Sequence, residues 1–248
     1  MNKTRGKEMC ARPRKSIAEI LNAAQLAINN SVADAEIMEL VAAYGYDSPR
    51  FQDGRMRYLA AVEAVDAKEA AAGAQHDATE KERKARSQAD DAYQALAKVA
   101  RAIFQGDQPA LTAMELRGPM PRATAPFLAR AYLLFDNAMK MPELMEALAP
   151  YGYDAERLQA ERDRIVAYDQ SNQDQEAAKG AAQDATRAQT DALAMLRDWY
   201  AQYRKIVRVA LRGRRQLLEK LGIPARTSRT KAQAEALRKR REKDPDPI

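Results

Sequence analysis

The chain has few of the residues on which most enzyme chemistry depends. Its 248 residues include one cysteine, Cys10, and one histidine, His76. A lone cysteine excludes a disulfide within the chain and fits a reducing compartment. One histidine and one cysteine cannot assemble a His/Cys zinc site, and a di-iron bundle needs Glu-x-x-His on two helices. A nucleophile–histidine pair would have to use His76, which sits among alanine and charge and reads as solvated. Neither G-x-x-x-x-G-K-[ST] nor G-x-G-x-x-G occurs, so the common nucleotide-binding loops are missing. Paired carboxylates such as Asp90-Asp91 or Glu143 and Glu146 read as solvated helix faces. No apolar run reaches 18 residues, which leaves no transmembrane helix. Glu19, Asn22 and Gln25 interrupt the first apolar stretch, so no signal-peptide core follows the basic start. The expectation is a cytoplasmic protein with no catalytic residue, cofactor or metal.

Aromatic residues make up only 6% of the chain, while apolar residues, alanine prominent among them, make up 46%. Ala, Glu, Lys, Arg, Gln and Leu dominate, and Val, Ile and Thr are sparse, a balance that favours helix over strand. The formal net charge is +6. Residues 1–15 carry six basic and one acidic group, and residues 226–248 carry eight basic and four acidic. The body between these tails is therefore slightly negative. Arg238, Lys239, Arg240 and Arg241 form a compact cationic cluster, and Arg212, Arg214 and Arg215 form a second group with Arg204, Lys205 and Arg208 nearby. Both groups are candidate polyanion sites; the bland reading of the second is charge opposing a helix dipole.

The strongest pattern is a repeat. Tyr44-Gly45-Tyr46-Asp47 returns 107 positions later as Tyr151-Gly152-Tyr153-Asp154, and 20–106 aligns with 127–213 without a gap, 31 of the 87 pairs being identical. Apolar positions keep their character while the side chains change, as in Ile20/Phe127, Phe51/Leu158 and Phe104/Leu211. That behaviour predicts two copies of one core. Each corner is expected to close a short helix (33–43 and 142–149), with Gly45 or Gly152 in the left-handed conformation. Asp47 and Asp154 should cap the helix that follows, and both tyrosines should pack into the junction.

A basic arm of residues 1–15, disordered on composition, leads to helical repeat 1 at 16–118, helical repeat 2 at 119–223 and a basic polar tail at 224–248. Ser16 is the first helix cap. The stretches 48–105 and 155–212 admit two readings. A continuous helix of about 58 residues would run roughly 87 Å with a polar middle. A turn at Gly73 and Gly180, each followed by Asp and Thr that could cap a new helix, would make an antiparallel hairpin with a protruding polar tip. The hairpin is the favoured reading, which gives an all-α fold of two homologous helical bundles with long antiparallel helical hairpins.

Through the Tyr-Gly-Tyr-Asp corner, Tyr203–Leu211 and Gln216–Ile223, the chain resembles a loose group of uncharacterised bacterial proteins built from two such helical segments. The resemblance covers roughly 20–223 and implies no activity, cofactor or catalytic residue. The expected function is a non-catalytic helical interaction or scaffold protein whose partner is a protein, itself or another. The alternative is a nucleic-acid-associated accessory protein binding through the basic termini.

Overall fold

The computed structural model describes residues 16–224 and Glu235. The arm 1–15 with Cys10, and the cluster Arg238, Lys239, Arg240 and Arg241, lie outside the described residues. Every regular element among the described residues is helical: α1 (Ile17–Ala33), α2 (Ala35–Ala42), α3 (Ser48–Ile103), α4 (Gln108–Ala113), α5 (Thr124–Lys140), α6 (Pro142–Leu148), α7 (Ala155–Ala210) and α8 (Arg215–Lys220). A 3₁₀ turn, Ala149–Tyr151, extends α6. Local chemistry explains most starts. The Ser16 hydroxyl accepts from Glu19 N at 3.2 Å while the Glu19 carboxylate accepts from Ser16 N at 2.8 Å, a reciprocal cap. Asp34 caps α2, and Asp107 caps α4 ahead of Pro109.

Element boundaries recur at the sequence offset. α5, α7 and α8 begin and end 107 residues after α1, α3 and α4. The left-handed positions follow the same spacing, Gly45 with Gly152, Gly106 with Gly213 and Glu115 with Gly222.

The hairpin reading is overturned, because α3 and α7 each run unbroken for 56 residues through Gly73 and Gly180. A glycine inside a helix costs only about 1 kcal/mol relative to alanine, too little to force a turn when the helix has a partner along its length. The partner is visible in the burial pattern. On α3, positions 68, 71, 75, 78, 82 and 85 are half-buried and 89, 92 and 96 are buried, steps of 3 and 4. On α7, positions 171, 175, 178, 182 and 185 are half-buried in the same steps. This is a two-helix seam built largely from alanine. The polar middle is therefore half of a pair of helices and not a loop tip.

Two compact units result, one of residues 1–64 with 189–248, the other of residues 65–188. Their limits fall inside α3 and α7, so they do not coincide with the sequence segments 16–118 and 119–223. Each unit takes its residues from both segments.

The first unit packs α1, α2, the start of α3, the end of α7 and α8. Ile37, Phe51, Leu196, Tyr203, Val207 and Leu221 lie at its centre. Tyr46, Phe51, Trp199 and Tyr203 form one aromatic group, with Trp199 and Tyr203 stacked at 5.5 Å. The second unit packs α4, α5 and α6 on the end of α3 and the start of α7, around Leu96, Phe127, Leu134, Phe135, Leu158 and Ile165. In it the two long segments run antiparallel: Arg86 donates to Tyr168 at 3.0 Å, while Lys68 and Ala72 line a shallow groove with Thr186 and Arg187.

Candidate functional site

Both corners are built by the same contacts. Gly45 and Gly152 sit at φ 79° and 80°, and Asp47 and Asp154 accept from Arg50 N and Arg157 N at 3.2 and 2.8 Å. The tyrosines divide, contrary to the expectation that both pack inward. Tyr46 and Tyr153 are buried, but Tyr44 and Tyr151 are 49% and 61% exposed. A left-handed glycine between the two rings sends them in different directions.

Sequence reasoning passed over two arginines. Arg50 lies over the Tyr46 ring at 4.9 Å, Arg157 lies over Tyr153 at 4.0 Å, and each reaches back to the corner glycine carbonyl, at 3.5 and 3.3 Å. They clamp the corner by cation–π contact and hydrogen bond. The available signal was their retention, three residues after the aspartate, in both copies. With backbone, ring and guanidinium satisfying one another, the corners are structural.

The cationic group near the end of α7 is partly neutralised. Arg214 pairs with Glu36, Arg215 with Glu219 at 2.7 Å, and Lys220 with Asp34 at 3.1 Å. Arg204 lies over the Tyr200 ring at 5.5 Å. Arg212 is exposed and makes no ion pair among the described residues. His76 is exposed in the middle of α3. Among the described residues no cluster of three His, Cys, Asp or Glu could hold a metal ion. No helix there is long and apolar enough to cross a membrane.

The units differ most where the end of the α1 or α5 helix meets the start of the long helix. In the second unit a polar network closes that place. Asp136 accepts from Arg162 Nε at 2.7 Å and from Lys140 Nζ at 3.2 Å. Arg162 lies over Tyr132 at 5.6 Å, and Tyr132 donates to Asp169 at 3.0 Å. Burial pushes the Asp136 carboxyl up, but hydrogen bonds and charge from Arg162 and Lys140 outweigh it and hold the group below the usual range. In the first unit the positions 107 residues earlier are Gln25, Asn29, Ala33, Arg55 and Val62. Only the arginine survives. There an open groove of about 570 Å³ is lined by Ile28, Asn29, Val32, Phe51, Gln52 and Arg55 among others. Arg55 and Asn29 are exposed, and Arg55 makes no ion pair among the described residues. This groove was not legible in the sequence, because it is defined by side chains that are missing.

Compared with known proteins, the chain matches no family model, no curated protein and no solved structure.

Proposed function

We propose that this is a non-catalytic helical interaction or scaffold protein, formed by internal duplication, whose contact surface is the paired middle of its long helices. The observation that carries this reading is the bareness of residues 65–88 and 169–188. The buried core of the second unit begins at Ala89 on α3 and ends at Tyr168 on α7. Beyond those points the segments have only an alanine seam between them, and most other side chains face water. Half-burying a few alanines stabilises a fold very little, so a long two-helix stretch adds far more surface than core. Such a surface suits recognition along i, i+3 and i, i+4 rows.

The composition of the stretch favours a protein partner, self or other, over nucleic acid. Residues 65–88 carry five acidic and five basic side chains, and residues 166–188 carry four acidic and two basic. Mixed charge of this kind gives no cationic track for phosphates. The recurring element boundaries support the duplication, and the corner supports kinship with tandem helical-repeat proteins that bear it. A cytoplasmic setting belongs to the same proposal.

Affinity capture of the full chain from its native host, followed by mass spectrometry, tests the reading. One stoichiometric protein partner, lost when exposed charges on 65–88 are reversed, supports it. Recovery abolished by nuclease would instead favour the accessory role through the basic termini.

A further inference from the structure

The groove of the first unit has a filled counterpart 107 residues along the chain, and the filling indicates what is missing. In the second unit Arg162 is half-buried against the Asp136 carboxylate, and Met139 and Lys140 lay their aliphatic stems beside it on α5. In the first unit those positions hold Asn29, Val32 and Ala33, so a carboxylate and several methylene groups are gone. Arg55, the counterpart of Arg162, is left at the rim without an ion-pair partner among the described residues. The floor remains apolar: Ile28 and Phe51 are buried, while Val32 is 55% exposed.

We propose that this groove is a binding site for a small aliphatic carboxylate. Its carboxylate takes the place of the Asp136 side chain, accepting from the Arg55 guanidinium and the Asn29 amide. Its chain takes the place of the Met139 and Lys140 stems, over Val32, Ile28 and Phe51. The inference goes beyond the interaction role and does not depend on it.

Octanoate is a suitable probe, and the protein carries its own reporter. Trp199 is the sole tryptophan, and its ring lies 6.3 Å from that of Phe51 in the groove wall. Octanoate added to the full chain should change tryptophan fluorescence saturably at about millimolar concentration or below, with calorimetry giving the same affinity. Octanol should bind roughly tenfold more weakly, because it lacks the charge that Arg55 receives. Arg55→Gln should weaken octanoate by roughly tenfold to a hundredfold. Asn29→Asp should do the same while raising the melting temperature, since it supplies the carboxylate internally as Asp136 does. Asn29 and Arg55 are exposed, so both variants keep the fold, which circular dichroism checks. Arg162→Gln, in the other unit, should leave octanoate binding unchanged. Absence of saturable binding, or unchanged affinity in Arg55→Gln and Asn29→Asp, overturns the proposal. Equal binding of octanol and octanoate, or loss of binding in a folded Arg162→Gln protein, overturns it too.

Discussion

Around Tyr46 the first unit gathers Phe51, Trp199 and Tyr203; at the positions 107 residues away the second unit has Leu158, Ala92 and Leu96. The second unit carries its aromatic weight elsewhere, in Phe127 and Tyr168, where the first has Ile20 and Ala61. Volume has been redistributed within one arrangement of helices, as packed cores allow when total volume and pattern are kept. The clearest exchange involves one pair of positions. Gly54 on α3 leaves room for Trp199; in the second unit Glu161 stands at the first position and Ala92 at the second. Where the large ring is lost, a carboxylate enters, and Glu161 is 6% exposed with Arg157 as its partner at 3.0 Å.

The largest expected effect tests that exchange. A Cβ on Gly54 would stand 2.2 Å from the Trp199 ring. Gly54→Ala should therefore cost about 1–3 kcal/mol or more, although alanine is the better helix former by about 1 kcal/mol. In a Trp199→Ala background the clash is gone and the same change should become favourable. Urea unfolding of the four proteins gives the cycle. A neutral Gly54→Ala in the parent would break the comparison.

Next comes the hydroxyl that the second unit lacks. Burial pushes the Tyr203 phenol up to about 12, against a smaller opposing effect of its hydrogen bond with Ser31. The native state thus keeps a proton that the unfolded chain loses near pH 10. Stability from this group is complete below about pH 10 and is lost as pH rises towards 12, roughly 2–3 kcal/mol in all. Tyr203→Phe should flatten that decline. Burial also raises Tyr46, Tyr93, Tyr153 and Tyr200, so a residual slope remains. Denaturant titrations from pH 8 to pH 11 would show it. An identical decline in the variant would mean that Tyr203 is not protected from solvent.

A third contrast lies in the two clamps. Arg50 holds its ring and its glycine carbonyl, whereas Arg157 also neutralises the buried Glu161. One oxygen of Glu161 has no hydrogen-bond partner, so removing Arg157 leaves a buried carboxylate with less compensation. Arg157→Ala should cost about 1–3 kcal/mol and Arg50→Ala about 1 kcal/mol or less. Equal losses would show that Glu161 is hydrated and that the asymmetry is only apparent.

Much of this fold was legible because its signals are local. Ser16, Asp34, Asp47, Asp154 and the corner glycines mark helix ends through contacts within a few residues. The course of the long helices was not, because Gly-Ala-x-x-Asp-Ala-Thr is equally a turn or a weak point in a helix. What decides between them is pairing between residues about 80 to 150 positions apart. A trace of that pairing was present. Ala71, Ala78 and Ala85, matched by Ala178, Ala185 and Ala192, step by sevens and mark a seam. The groove left no such trace, since Asn29 announces nothing until it is compared with Asp136 beside Arg162.

The smallest expected effect separates the continuous helix from the hairpin. Gly73 and Gly180 lie inside α3 and α7 without positive φ, and a Cβ at either would meet nothing within 4 Å. Neither position needs glycine for packing or for backbone conformation. Gly73→Ala and Gly180→Ala should each therefore stabilise by up to about 1 kcal/mol, by lowering unfolded-chain entropy and raising helix propensity. Their effects should be opposite in sign to Gly45→Ala, whose φ of +79° strains any side chain. In a hairpin Gly73 would occupy the left-handed position at the end of a helix, and alanine there would destabilise. Thermal melting of the three variants reads the sign directly. Loss of stability in Gly73→Ala would restore the turn, and with it the assignment of each bundle to a single sequence segment.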